Sequence, residues 1–172
     1  MVMVMSLDGK TTKWHQSKIH DWTSKEDYQF FNSLLSCHDA IVMGRKTYEV
    51  AKTMMQLTPH LLRVVCTRDP EPYLSVAVRD QLEFTNDSPQ VLYDRLVKRG
   101  YKKILLVGGA QLNLGFLTAG LVDRVWTTLE PYLFGRGDGL VPAQKIDVPL
   151  ALETMERLNE RGTVLLKYRV IS

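Results

Sequence analysis

The apolar positions fall into short runs separated by stretches of helical period. Residues 1–6, Met-Val-Met-Val-Met-Ser, read as a short buried strand, and Asp8-Gly9 marks a sharp turn after it. The chain is then loop-like to about Trp22. Thr23 and Ser24 offer N-caps, with Glu26 and Asp27 three residues on. The helix they open puts Tyr28, Phe31 and Leu35 on one face, with Phe30 and Leu34 beside it. Ala40 to Met43 is a continuous apolar run, as in a strand covered on both faces. A short helix follows Thr47, then a strand from Leu62 to Cys66 and a weaker alternating strand, Leu74-Val76-Val78. Ser88, Pro89 and Gly100 bracket a helix with Leu92 and Leu96 inward. Ile104 to Val107 is a further strand, broken at Gly108-Gly109 into a helix that ends near Gly120. From Val122 onward strands follow one another without helices, at about 122–130, 150–158 and 163–170. The pattern predicts an α/β domain with a mostly parallel central sheet and antiparallel C-terminal strands.

Composition narrows the class. The 172 residues, 45% hydrophobic and 24% charged, predict a single domain over 1–172. Cys37 and Cys66 form no CxxC pair, which excludes a disulfide scaffold and argues against a structural zinc. No apolar run approaches the roughly 20 residues of a membrane span, and no basic region precedes an apolar stretch at the N-terminus; the expected compartment is the cytoplasm. The net charge of +3 is spread along the whole chain. Its densest basic stretch, Arg95 to Lys103, lies at a predicted helix end, where cations suit the macrodipole. Nucleic acid and membrane are set aside as partners.

Three strand ends carry candidate chemistry. Gly44, Arg45, Lys46 and Thr47 follow a buried strand and enter a helix, where free backbone N–H groups and two cations suit a phosphate. Gly108, Gly109, Ala110, Gln111 and Leu112 repeat the arrangement with side-chain-free positions that let a diphosphate approach. This is neither a Walker loop nor GxGxxG. Thr67 and Arg68 end a third strand and suit a second phosphate, such as the 2′-phosphate that separates NADP from NAD. Gly44 with its two cations also reads as a turn with solvated charges, the glycine pair as tight αβ packing, and Thr67-Arg68 as an exposed loop. Gly135 to Gly139 is glycine-rich but has no helix after it, and reads as a long hairpin connection. His15 and His20 make no metal pair. Asp27 and Glu26 read as capping residues, with an acid at the site as the alternative.

Ser6-Leu7-Asp8-Gly9-Lys10, Gly44-Arg45-Lys46-Thr47-Tyr48-Glu49, Gly108-Gly109-Ala110 and Gly120-Leu121-Val122-Asp123 with Pro131-Tyr132-Leu133-Phe134-Gly135 occur in a characteristic order. With them the chain resembles, over nearly its whole length, the reductase domain of riboflavin biosynthesis, the C-terminal domain of the bifunctional deaminase-reductase, within the dihydrofolate-reductase-like superfamily. The resemblance implies a three-layer α/β/α fold and hydride transfer from NADPH to a pyrimidine- or pterin-like acceptor. It assigns Gly108 to Leu112 and Gly44 to Thr47 to the cofactor, Thr67 and Arg68 to its 2′-phosphate, and Met5, Ser6, Asp8, Gly9 and Lys10 to the substrate side. Asp27 resembles the helix carboxylate of dihydrofolate reductases. Residues 50–60 lack the Asp-Pro-x-Leu-x-x-Arg segment of riboflavin-type reductases, Val107 stands where they have an acid, and Leu35 where the bacterial members have an arginine.

The expected function is therefore an NADPH-dependent reductase without a metal, acting on a small molecule. A non-catalytic nucleotide-binding module and a dihydrofolate reductase proper are the alternatives. Without the arginine segment, an unphosphorylated acceptor is expected to be turned over better than the ribosylaminopyrimidine phosphate, with Lys10, Lys13, Lys18 and His15 the nearest replacement donors. The apolar C-terminal strand, Val164 to Val170, is expected at an exposed edge, and from this a homodimer is expected.

Overall fold

The structure is a computed structural model, which describes residues 1–14 and 21–171. His15, Lys18 and His20 lie outside the described residues. Among the described residues, eight strands and four α-helices follow in the order β1 (Val2–Ser6), α1 (Lys25–Cys37), β2 (Ala40–Gly44), α2 (Arg45–Ala51), β3 (Leu62–Cys66), β4 (Leu82–Thr85), α3 (Pro89–Lys98), β5 (Ile104–Leu106), α4 (Ala110–Thr118), β6 (Arg124–Glu130), β7 (Leu150–Arg157) and β8 (Val164–Val170).

The strands form two four-stranded sheets, β4-β3-β2-β5 and β1-β6-β8-β7. The first is wholly parallel, and in the second β1 pairs with β6 in parallel while β8 is antiparallel to both neighbours. Period-two alternation divides β2 between two cores. Ala40 and Val42 pack with Leu92 and Leu96 of α3, Phe116 of α4 and Val125 of β6. Ile41 and Met43 pack on the other side with Leu34 of α1, Tyr48 of α2 and Val2 of β1. Both sheets feed both cores, so the molecule is a three-layer α/β/α domain with α1 and α2 on one side and α3 and α4 on the other.

Local chemistry explains the helix ends. Ser24 Oγ accepts from the Asp27 N–H at 3.2 Å and caps α1. Ser88 Oγ accepts from Val91 N–H, and Pro89 occupies the first turn of α3, where no N–H is needed.

Four expectations are corrected. Leu74-Val76-Val78 is no strand: Glu71–Val76 forms a 3-10 turn, with Pro70 and Pro72 fixing φ and with Leu74 and Val76 exposed. The strand is β4, whose Glu83 interrupts the apolar run because it points to Arg95 and Arg99. Helix α2 starts at Arg45, directly after β2, and not after Thr47. Residues 131–149 are no hairpin, since β8 lies between β6 and β7 and the segment must cross the sheet. The exposed edge is accordingly β7, whereas β8 is held on both sides.

Candidate active site

A cleft of about 1770 Å³ opens where the C-terminal ends of β2 and β3 and the start of α4 meet α1. Crevices beyond the strand ends of parallel sheets are the usual ligand position in such folds. Two of the expected loops touch one another there. Gly44 N–H donates to Gly108 O at 2.7 Å, and a side chain at 44 would stand 3.3 Å from the Gly109 nitrogen. Gly108 adopts φ +91°, and the peptide joining it to Gly109 is cis. A Cβ at 108 would lie 3.0 Å from Met3 Sδ. The close backbone at 44 and the positive φ at 108 favour glycine at both positions for the protein's own packing.

Gly109 differs. Its φ is −78°, and a Cβ there would meet only Thr47 Oγ1, at 3.9 Å. It is the N-cap of α4, with no side chain capping the helix, and Ala110, Gln111 and Leu112 line the cleft with it. The first-turn N–H groups of a helix have no intrahelical partner and carry the positive end of its dipole. Space and donors thus coincide at 109–112.

Arg45, Lys46, Thr47, Thr67 and Arg68 line the same end of the cleft. Both arginines and Lys46 are exposed, and none forms an ion pair among the described residues. Thr67 is held by β4, its N–H donating to Thr85 O at 2.9 Å, while its hydroxyl donates to Asp69 O. Burial first, then the Asp87 charge, pushes the thiol of neighbouring Cys66 up to about 12, away from the thiolate form.

Asp27 lines the cleft from the first turn of α1. That turn is latched to the sheet by Glu130 of β6, which is 2% exposed. Glu130 Oε1 accepts from Ser24 N–H at 2.7 Å and Oε2 from the Thr163 hydroxyl at 2.8 Å. Asn159 Nδ2 extends the latch, donating to Thr163 Oγ1 and Glu26 Oε2 at 3.0 Å each. Glu26 is therefore engaged away from its expected capping role, and its carboxyl is held below its ordinary value chiefly by Asn159.

On the substrate side the structure separates the expected residues. Lys10 lines the cleft, but Met5, Ser6, Asp8 and Gly9 are not among its lining residues. Ser6 is buried and donates to Asp8 Oδ1 at 2.6 Å. Asp8 also accepts from the N–H groups of Phe134 (3.1 Å) and Gly135 (2.7 Å). The Ser6 hydroxyl, then these amides, pull its carboxyl down to about 2. This clasp fastens the turn after β1 to the loop after β6. The glycine-rich stretch continues it: a Cβ at Gly137 would overlap Thr12 O at 2.0 Å.

Two features went unread in the sequence. Tyr28 and Phe31 of α1, Val50 of α2 and Met54 just beyond it give the cleft apolar lining; Tyr28, expected inward, is 52% exposed. Arg63 of β3 is buried yet lines the cleft. A cation inside the run Leu61-Leu62-Arg63-Val64-Val65 is the signal that marks it. Among the described residues no cluster of His, Cys, Asp and Glu forms a metal site.

Comparison with known proteins agrees with the geometry. The family model of the RibD C-terminal domain matches residues 1–164. The 2,5-diamino-6-ribosylamino-4(3H)-pyrimidinone 5′-phosphate reductase of Methanothermobacter thermautotrophicus is 39% identical over 59 residues, 33% of this chain and 27% of that protein. Among solved structures, a pyrimidine reductase-like protein from Corynebacterium diphtheriae superposes with a TM-score of 0.80 at 19% identity, covering 99% of this chain and 90% of the other. The dihydrofolate reductase of Enterococcus faecalis, solved with NADP(H) and RAB-propyl, gives 0.65 at 17% identity, covering 99% and 95%. The chain belongs to the RibD C-terminal domain family, the reductases of riboflavin biosynthesis, and has the dihydrofolate-reductase-like fold.

Proposed function

We propose that this protein is an NADPH-dependent reductase that transfers a hydride to a pyrimidine- or pterin-like acceptor. The observation that carries this reading is the space at Gly109 beside the uncapped first turn of α4, which the protein leaves open and lines with backbone donors. Gly109 to Leu112 would hold the diphosphate, with Gly44 and Gly108 shaping the loop. Arg45, Lys46, Thr47, Thr67 and Arg68 would take the adenosine 2′-phosphate. When bound, the nicotinamide supplies the hydride. This chain's residues orient the two reactants, and hydride transfer needs them face to face in a site that excludes water. The apolar lining of Tyr28, Phe31, Val50 and Met54 would serve that exclusion, Lys10 would border the acceptor, and Asp27 would deliver a proton to the accepting heteroatom. The clasp of Ser6, Asp8 and Gly9 behind Met5 sets the wall beside the acceptor.

The same reading makes the protein a cytoplasmic homodimer. No helix among the described residues is long and apolar enough to cross a membrane. The exposed edge strand β7 carries Leu150, Leu152 and Met155 as an apolar row.

The test is thermal stabilisation by NADPH and NADH at matched concentration, followed by NADPH oxidation with candidate acceptors. A ligand at 100 times its Kd stabilises the native state by about 2.7 kcal/mol. A clear preference for NADPH that narrows in Arg45→Ala and Arg68→Ala is expected. Equal shifts with both cofactors would exclude the 2′-phosphate assignment, and binding without turnover of any acceptor would favour a nucleotide-binding module.

A further inference from the structure

Two partly buried arginines of α3 and its C-terminal end are matched to acids. Arg95 pairs with Glu83 at 3.0 Å and Asp87 at 2.9 Å, and Arg99 with Glu83 at 2.7 Å and Asp80 at 3.2 Å. All four pairs keep some access to water. Arg63 is only 5% exposed and, among the described residues, has no acid within ion-pair distance. Its guanidinium donates to two neutral backbone carbonyls, Leu61 O at 3.1 Å and Gln56 O. Those bonds aim the planar fork and leave three of its five N–H donors for other partners. Burying a cation without a counter-charge is costly, and carbonyls do not neutralise it.

Its position gives that cost a use. Arg63 is in register with Ile41, and strand alternation puts both on the face covered by α1 and α2. It lines the cleft three residues before the β3 end, roughly 10 Å down the strand from Cys66 and the cofactor end. The same cleft is lined by the apolar Leu35, Ile41, Val50, Ala51, Met54 and Met55. A low-dielectric wall strengthens any charge pair formed there.

We infer that Arg63 is an anion subsite, which receives a carboxylate or phosphate on the end of the acceptor remote from the reacting carbon. Assigning that anion to the acceptor rests on the reductase reading; binding of an anion at Arg63 does not. The subsite reverses the expectation drawn from residues 50–60: an arginine reaches the acceptor half of the cleft from β3.

Calorimetric titration of NADPH-saturated protein with inorganic phosphate, and in parallel with acetate, tests the site while bound cofactor fills its own phosphate positions. Phosphate is expected to bind wild type and Arg68→Ala alike, at least tenfold more weakly to Arg63→Lys, and not at all to Arg63→Met. NADPH affinity should be unchanged in the Arg63 variants. Acetate binding with the same dependence assigns a carboxylate as well as a phosphate. Failure of wild type to bind either anion, or equal binding by Arg63→Met, overturns the proposal. If the variants do not fold, wild type decides: the ribosylaminopyrimidine 5′-phosphate should displace phosphate at least tenfold more effectively than its dephosphorylated form, and equal displacement refutes the subsite. Anion binding at Arg63 without NADPH oxidation by any acceptor would instead overturn the reductase reading alone.

Discussion

At position 109 the protein itself has no need of a glycine, since the nearest atom to an added Cβ is Thr47 Oγ1 at 3.9 Å. Gly109→Val should therefore change stability by no more than about 1 kcal/mol. It should weaken NADPH at least a hundredfold, because the branched side chain fills the space at the start of α4. Melting temperature and fluorescence titration check the two halves of this prediction, and normal binding by a folded variant refutes the phosphate-loop assignment. Gly44 and Gly108 offer no such test, because the protein's own backbone and Met3 already crowd them. Asp8 makes a second prediction. Its carboxyl falls from the ordinary 3.8 to about 2 in the folded state, so its contribution is complete above about pH 4 and is lost as pH falls toward 2. Glu26, Asp39 and Glu49 are also held low and add to the acid loss in any variant. The difference between wild type and Asp8→Asn isolates the clasp: acid melts should show a smaller fall between pH 4 and 2 in Asp8→Asn.

Among the elements, α1 has the most to lose from a single change. Ser24 holds the Asp27 amide, Glu130 holds the Ser24 amide, and Thr163 and Asn159 hold Glu130 and Glu26. Glu130→Ala strands the half-buried Ser24 N–H and the buried Thr163 hydroxyl, the loss of a buried partner costing about 1–3 kcal/mol. Urea denaturation should show a loss of about 3 kcal/mol for Glu130→Ala. Glu130→Gln can still accept from Ser24 and bond Thr163 through its amide, and should lose about 1 kcal/mol. Equal losses would mean that the latch acts by volume and not by hydrogen bonding. The elements themselves were readable to different degrees. The N-caps at Ser24 and Ser88 and the buried runs at 40–43 and 104–107 are local signals, and the structure follows them. The strand read at 74–78 failed because period-two alternation says nothing about the φ restrictions of Pro70 and Pro72, and β4 escaped notice because Glu83 serves partners on another element.

For the whole molecule, assembly is the open surface question. Leu150, Leu152 and Met155 are 40%, 53% and 70% exposed on the edge strand. Exposed apolar edges of this kind are ordinarily paired or covered. Light scattering at micromolar concentration should give twice the chain mass, and the double variant Leu152→Lys, Met155→Lys should return it to near 20 kDa without loss of fold. A wild-type mass near 20 kDa would remove the homodimer from the proposal.

What the sequence determined by itself were the features with a local cause: capped helices, apolar runs, and glycines at strand-to-helix junctions. Periodicity and turn chemistry act within a few residues and leave their mark on the chain. The family pattern in those glycines also marks the end of the cleft proposed for the cofactor. Only the tertiary structure decided strand order, and with it that β7 and not β8 lies at the edge and that residues 131–149 cross the sheet. It alone showed that Asp8 faces a loop 126 residues away, that Glu130 latches α1, and that Arg63 enters the cleft without a counter-charge. These are pairings between distant residues, set by how the layers stack, and no local pattern carries the identity of the partner.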